Sequence, residues 1–257
     1  MVTRNSTNLS ELAQRVVEPH ELVEGLDAIR YIKACDYQKT SDYGILAEEL
    51  YKKFGLLGKQ VLEIGSGSGN LCEELMTMGT GLVVGVDAAE TMVAHASKKY
   101  ESLIKEGRMK FVRASVYGMP FSSEFDMVVC QNSFHQLYKP REALQEMVRV
   151  AAPEGVVYIA DFRRDVSEDS FRRRVQYTKP EIRGDLINSI RASLTKQEFR
   201  DMFDSIPDIS FSVKDAENPT GLSERVDELI KRDPVPHWLD YLISQRVEIK
   251  KFKRRCI

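Results

Sequence analysis

Between residues 60 and 162, five short and almost wholly apolar runs alternate with helical stretches. No other feature of the chain constrains its fold as strongly. The runs are QVLEIG, LVVGVD, MKFVRA, FDMVVCQ and GVVYIADF. A strand that is apolar on both faces must be covered on both faces, so these runs predict a mostly parallel sheet between two layers of helix. The intervening GNLCEELMTMG, AETMVAHASKKYESLIKEG and PREALQEMVRV carry helical spacing, the last with Pro140 at its start. An APEG turn at 152 to 155 introduces the fifth run.

The flanks are predominantly helical. Residues 9 to 55 read as helix, with Leu9, Leu12, Val16 and Val17 spaced for one apolar face and Ser41 placed to cap SDYGILAEELYKKFG. Residues 163 to 206 break the alternation with two or three helices. They are rich in arginine (Arg163, Arg164, Arg172, Arg173, Arg174); the run from Arg172 to Arg174 reads as a solvated helix face, with a surface for an acidic substrate or RNA as the alternative. Thr195 and Glu198 make a capping-box pattern ahead of LTKQEFRDMFDSI. Beyond that, ISFSVKD alternates like a strand, SERVDELIKR and HWLDYLISQ read as helical, and RVEIKKF reads as a last edge strand. The expected organisation is a helical N-terminal cap over 1–55, a core over 56–162, a helical lid insertion over 163–206, and strands and helices completing the core over 207–257.

Composition narrows the function classes. The 37 basic and 39 acidic residues leave a formal charge of −2, which gives no global attraction to nucleic acid or to anionic membrane. Apolar runs such as GVVYIA are far too short to span a bilayer, and MVTRNSTNLSELAQ lacks the apolar core of a signal peptide. Cys35, Cys72, Cys130 and Cys256 form no CxxC pair and no metal-type spacing. They read as thiols of a cytoplasmic protein without a metal site.

The chemistry concentrates at VLEIGSGSGNL, residues 61 to 71, where a strand breaks into alternate glycines. A dinucleotide turn wants glycines at positions one, three and six; from Gly65, position three is Gly67 but position six is Asn70. A Walker-type loop needs Gly-Lys-Ser/Thr, which is missing here. Glu63 stands two residues before the first glycine, where a carboxylate suits a cationic amine and repels a pyrophosphate. Asp87 ends the second strand, where a carboxylate can accept both hydroxyls of a ribose. The site therefore reads as adenosine plus an amino acid with no phosphate, which describes S-adenosylmethionine (SAM).

At these residues the chain resembles the class I SAM-dependent methyltransferases. VLEIGSGSGNL resembles their first motif, VVGVDAAETM the segment with the ribose-binding acid, ASVYGMPF the loop beside adenine, and FDMVVCQNSFHQL the fourth strand and its exit. The resemblance covers roughly residues 40 to 215 and is nearest to the small-molecule enzymes. It implies an α/β, Rossmann-like, seven-stranded and mostly parallel sheet with helices on both faces, plus the N-terminal cap and the lid. It also implies that the backbone of Gly65, Gly67 and Gly69 passes under the methionine portion and that Glu63 holds its amino group. Asp87 would bind the ribose, Ala88 and Met92 would lie near adenine, and Gln131 would line the methionine side. The family's adenine loop usually carries an aspartate where this chain has Ser115; the hydroxyl can still accept, and Val116 can offer its backbone N–H.

His135, just beyond the fourth strand, is a candidate general base. Asn132 flanks the same exit, and QNSF lacks the Asn-Pro-Pro-aromatic signature of the nucleic-acid base methylators. Tyr43, Tyr177 and Tyr37 lie in segments expected to close over the site, where an aromatic face can meet a sulfonium. The expected reaction is methyl transfer to a small molecule. Two alternatives stay open: cyclisation of SAM to azetidine-2-carboxylate with release of methylthioadenosine, and a non-catalytic SAM-binding partner.

Overall fold

The computed structural model describes residues 12, 14–37, 41–178, 180–203, 206–217, 223–225, 228, 231 and 243–252. Helices α1 (Gly25–Tyr37) and α2 (Ser41–Phe54) precede the alternating core. The core runs β1 (Gln60–Ile64), α3 (Asn70–Thr77), β2 (Leu82–Asp87), α4 (Glu90–Lys99), α5 (Glu101–Lys105), β3 (Met109–Arg113), β4 (Phe125–Gln131), α6 (Pro140–Val150) and β5 (Ala151–Phe162). Then come α7 (Glu168–Gln176), α8 (Pro180–Ala192), α9 (Lys196–Phe203), β6 (Ile209–Asp215) and β7 (Ser244–Lys251).

The seven strands form one sheet in the order β3-β2-β1-β4-β5-β7-β6. Every pairing from β3 through β5 is parallel, and β7 runs antiparallel to both β5 and β6. The strand order reverses direction between β1 and β4, which opens a crevice beyond their carboxyl ends. Two apolar layers flank the sheet, one built around Leu62, Val128, Leu144 and Phe199, the other around Val61, Leu71, Met127 and Tyr158. Adjacent strand residues go to opposite layers, the expected consequence of a period of two.

Three sequence expectations need correction. RVEIKKF is no edge strand: β7 is inserted between β5 and β6, and β6 forms the edge. Burial explains why, since Gln245, Val247 and Ile249 of β7 are fully buried whereas Phe211 of β6 stays 43% exposed. The helical reading of 9–55 fails between residues 14 and 24, which run as an extended strap. Pro19 cannot donate a helical hydrogen bond, and Glu18, Glu21 and Glu24 spend their carboxylates on distant elements instead. Finally, β5 begins at Ala151, so APEG lies inside the strand and its register against β4 shifts between Phe125 and Met127. The capping box forms as expected: Thr195 N–H donates to Glu198 Oε2 at 2.7 Å, and Glu198 N–H to Thr195 Oγ1 at 3.1 Å. Most of the SERVDELIKR and HWLDYLISQ stretches and the side chain of Tyr37 lie outside the described residues.

Candidate functional site

The glycine turn owes its shape to two close approaches. Gly65 has φ of 66°, and a Cβ there would lie 2.0 Å from Ser133 Oγ. Gly69 has φ of 79°, and a Cβ would meet the rings of Phe111 and Tyr100 at 2.7 and 2.8 Å. Gly69 thus serves helix–strand packing and lies off the cavity, a correction to its expected place beneath a ligand. It supplies the close contact that a dinucleotide turn obtains one residue later, where this chain has Asn70.

Asp87 latches the turn. Its Oδ2 accepts from Gly67 N–H and its Oδ1 from Ala89 N–H, both at 2.9 Å. Each oxygen keeps a second lone pair for a ligand hydroxyl. Burial raises the Asp87 pKa despite these two donors.

Around the turn lies a cavity with two lobes, which share Glu21, Leu22, Gly65, Asp87, Ser133 and Gln136. The first lobe, about 260 Å³, is walled mainly by apolar groups, among them Val86, Ala88, Ala114, Val116 and Leu137. Ser115 is on its rim, with Oγ accepting from Tyr117 N–H at 3.3 Å. The second lobe, about 70 Å³, is polar: Glu63, Ser66, Ser68, Asn70, Gln131 and Asn132 line it with Tyr31 and Tyr43. Met92 belongs to this second lobe rather than beside Ser115 and Val116, because α4 packs its first turns on α1 through Ala28, Ile32 and Ala89.

Glu63 is 3% exposed, and burial pushes its pKa up to about 8. The Cys72 thiol and backbone N–H oppose that rise, while the charge of Asp87 adds to it. The Cys72 Sγ–H donates to Glu63 Oε2 at 2.8 Å. Three further polar atoms of this lobe are buried without a hydrogen-bond partner among the described residues: Ser66 Oγ, Asn70 Nδ2 and Gln131 Oε1. Buried polar groups are normally satisfied, so a cluster of unsatisfied ones at a cavity points to a polar ligand. The set offers acceptors for an ammonium and a donor for a carboxylate, which matches an amino-acid end.

His135 departs from its expected role. Its ring is 3% exposed and lies behind the cavity wall, with Nδ1 2.7 Å from Asp161 Oδ1 and Nε2 3.7 Å from Glu18 Oε1. Burial alone would lower its pKa, but the carboxylates of Asp161 and Glu18 outweigh it and raise the value. With carboxylates facing both ring nitrogens, the imidazole links the strap to β5 and lines neither lobe. Tyr177 ends α7 with half its surface in solvent and touches neither lobe. Asn132 does reach the polar lobe, in a left-handed conformation with φ of 47°. The arginines Arg163, Arg164, Arg172 and Arg173 pair with neighbouring carboxylates: Asp165, Glu198, Glu168 and Asp169 respectively.

The strap supplies residues that no local pattern announced. Glu21 Oε1 accepts from Tyr138 N–H at 2.8 Å and from the Tyr117 hydroxyl. Glu24 accepts from Glu90 and Thr91 N–H at 2.6 and 3.2 Å, capping α4 from 66 and 67 residues away. Arg15 donates to the carbonyls of His135, Leu137 and Ala192. The one available signal was the three-residue spacing of Glu18, Glu21 and Glu24 around Pro19, which reads equally well as a helix face.

Residues 62–159 match the family model described as a methyltransferase domain. This segment is the part of the chain that resembles a methyltransferase domain. Two curated relatives align with less than half of the chain. A mitochondrial ubiquinone biosynthesis O-methyltransferase of Schizosaccharomyces pombe is 31% identical over 109 residues, covering 42% of this chain and 39% of that protein. The ubiquinone/menaquinone biosynthesis C-methyltransferase UbiE of Escherichia fergusonii is 27% identical over 114 residues, covering 43% and 45%. The chain thus spans less than half the length of these two relatives. Among solved structures, the plantazolicin methyltransferase BpumL, in complex with a triazolic desmethylPZN analog and S-adenosylhomocysteine (SAH), superposes with a TM-score of 0.64 at 16% identity. That match covers 87% of this chain and 91% of BpumL. A Methanococcus maripaludis protein described as a candidate SAM-dependent methyltransferase superposes with a TM-score of 0.67 at 18% identity, covering 94% and 100%. The domain and the strands that extend it have the fold of the class I SAM-dependent methyltransferases. Among the described residues, no helix is long and apolar enough to cross a membrane, and no cluster of His, Cys, Asp or Glu could hold a metal ion.

Proposed function

We propose that the protein transfers a methyl group from SAM to a small-molecule acceptor. The observation that carries this reading is the junction of an apolar lobe with a polar lobe at Asp87 and Gly65, with three unsatisfied buried polar atoms in the polar lobe. An adenine suits the apolar lobe, beside Ala88, Ser115 and Val116; a ribose suits Asp87; an aminoacyl end suits Glu63, Asn70 and Gln131, below Tyr43 and Met92. The backbone of Gly65 and Gly67 bends between the two lobes. Solved structures of this fold include complexes with SAH, and the curated relatives are named for ubiquinone and menaquinone biosynthesis, which supports a small acceptor.

When bound, the cofactor supplies an electrophilic methyl carbon on a sulfonium. The chain's own residues bind, orient and exclude water. Asn132 lines both the polar lobe and a smaller adjoining cavity with Asp42, Phe162 and Arg246, and the acceptor approaches on that side. Proximity and in-line alignment carry the rate, with no general base assigned to His135. The strap of 14–24 closes the site, contributing Glu21 and Leu22 to the wall of both lobes. Buried, unpaired Cys72 and Cys130 are consistent with a reducing, cytoplasmic setting.

Calorimetric titration with SAH, followed by incubation with methyl-labelled SAM and a panel of phenolic and quinol acceptors, tests the proposal. Saturable SAH binding and label in an acceptor are expected. No SAH binding overturns the cofactor assignment. Methylthioadenosine release without any acceptor moves the chemistry from methyl transfer to cyclisation.

A further inference from the structure

Helix α3 carries Leu71, Cys72, Leu75 and Met76 into the apolar layer that includes Val61, Val83 and Tyr100. By pattern alone Cys72 is a small hydrophobe at a core position. Its surroundings make it more than that. It has no exposed surface, yet its Sγ lies 2.8 Å from Glu63 Oε2, and its backbone N–H is also directed at the same carboxylate. Glu63 in turn lines the polar lobe from the end of β1. One residue thus supplies two donors to a carboxylate that would otherwise enter an apolar layer. A thiol is a weak donor, so it can orient a carboxylate without satisfying it as fully as a hydroxyl would.

We infer that Cys72 is a positioning residue for the amino-acid end of the cofactor: its thiol holds Glu63 Oε2 and leaves Oε1 to receive the ligand ammonium in the polar lobe. The inference rests on the cofactor assignment above and adds a specific division of labour within that site. The carboxylate supplies the charge, and the helix behind it sets the direction. Cys72 itself touches no ligand.

The test compares two ligands that share the thionucleoside and differ in the amino acid: SAH and methylthioadenosine. Calorimetry is run on the full chain as wild type, Cys72→Ala and Cys72→Ser, each checked for folding by circular dichroism. Cys72→Ala is expected to weaken SAH by roughly 5- to 20-fold, the loss typical of one hydrogen bond to a charged group. Methylthioadenosine affinity should stay within about twofold, and Cys72→Ser should restore SAH binding because the hydroxyl keeps the donor. A merely structural role would weaken both ligands together, and that result overturns the inference. So does an unchanged SAH affinity in Cys72→Ala. Wild-type protein that binds neither ligand overturns the cofactor assignment and this inference with it. If Cys72→Ala fails to fold, difference infrared spectroscopy on the wild type decides. The buried S–H stretch should shift on SAH addition and not on methylthioadenosine addition; a band that ignores SAH rejects the positioning role.

Discussion

The two lobes of the cavity are built in opposite ways. The polar lobe draws Glu63, Ser66, Ser68 and Asn70 from one strand–turn–helix unit, with Gln131 and Asn132 from the neighbouring strand exit. The apolar lobe gathers Val86, Ala114, Val116 and Leu137 from separate crossovers, and Glu21 and Leu22 of the N-terminal strap wall both lobes. The hydrogen-bonding groups of the polar lobe are therefore placed mainly by local backbone geometry, and the walls of the apolar one by long-range packing. Substitutions in the first should change what is recognised; those in the second should mostly change how well the cavity closes.

The largest effect should fall where the lobes meet. Gly65→Ala would place a Cβ against Ser133 at a positive φ, so either the turn or the exit of β4 must shift. A destabilisation of ~2–4 kcal/mol and loss of both SAH and methylthioadenosine binding are expected, read by thermal melts and calorimetry. An Ala variant that binds both ligands normally would show that the lobes are not coupled through this turn.

Next comes Asp87→Ala, which removes the latch on Gly67 and Ala89 together with the acceptor offered to a ribose. Affinity for both nucleosides should fall about tenfold or more. A loss confined to SAH would move Asp87 from the shared rim into the polar lobe alone.

Glu63 belongs to the polar lobe, and its signature is a pH dependence. In the unfolded chain its carboxyl ionises near 4.5, whereas in the fold it holds its proton up to about 8. Between these values the unfolded state binds fewer protons than the folded one, so stability falls as pH rises through the window. The ligand-free wild type should therefore lose more melting temperature between the two values than Glu63→Gln does. Equal slopes would mean that Glu63 is ionised in its pocket without a ligand.

The smallest expected change is a gain. Ser115→Asp, on the rim of the apolar lobe, would give an adenine amino group a charged acceptor. Affinity for methylthioadenosine should rise several-fold, corresponding to ~1 kcal/mol. No gain in calorimetry would place the adenine away from residue 115.

Much of this could be read before any tertiary contact was known. The five apolar runs, the glycine turn, Asp87 and the Thr195–Glu198 cap all rest on spacings of two to four residues, and the structure contains each of them. Gly69 was legible as a glycine that mattered, although its reason lies in the rings of Phe111 and Tyr100, some 30 to 40 residues away. His135 shows the opposite failure. Its position after β4 suggested a base, but only the arrival of Asp161 from β5 and Glu18 from the strap reveals an anchored imidazole.

The sequence by itself determined the parallel sheet, the place of the crevice and the carboxylates, Glu63 and Asp87, that line it. Hydrophobic period and turn chemistry act over one or two turns of chain and need no partner. Tertiary structure decided the rest: the strap rather than a helix over 14–24, β7 inside the sheet, Met92 in the polar lobe, and the thiol of Cys72 on Glu63. Those outcomes depend on which groups burial brings together. The energy of a buried polar group is set by the partner it meets, and that partner lies elsewhere in the chain.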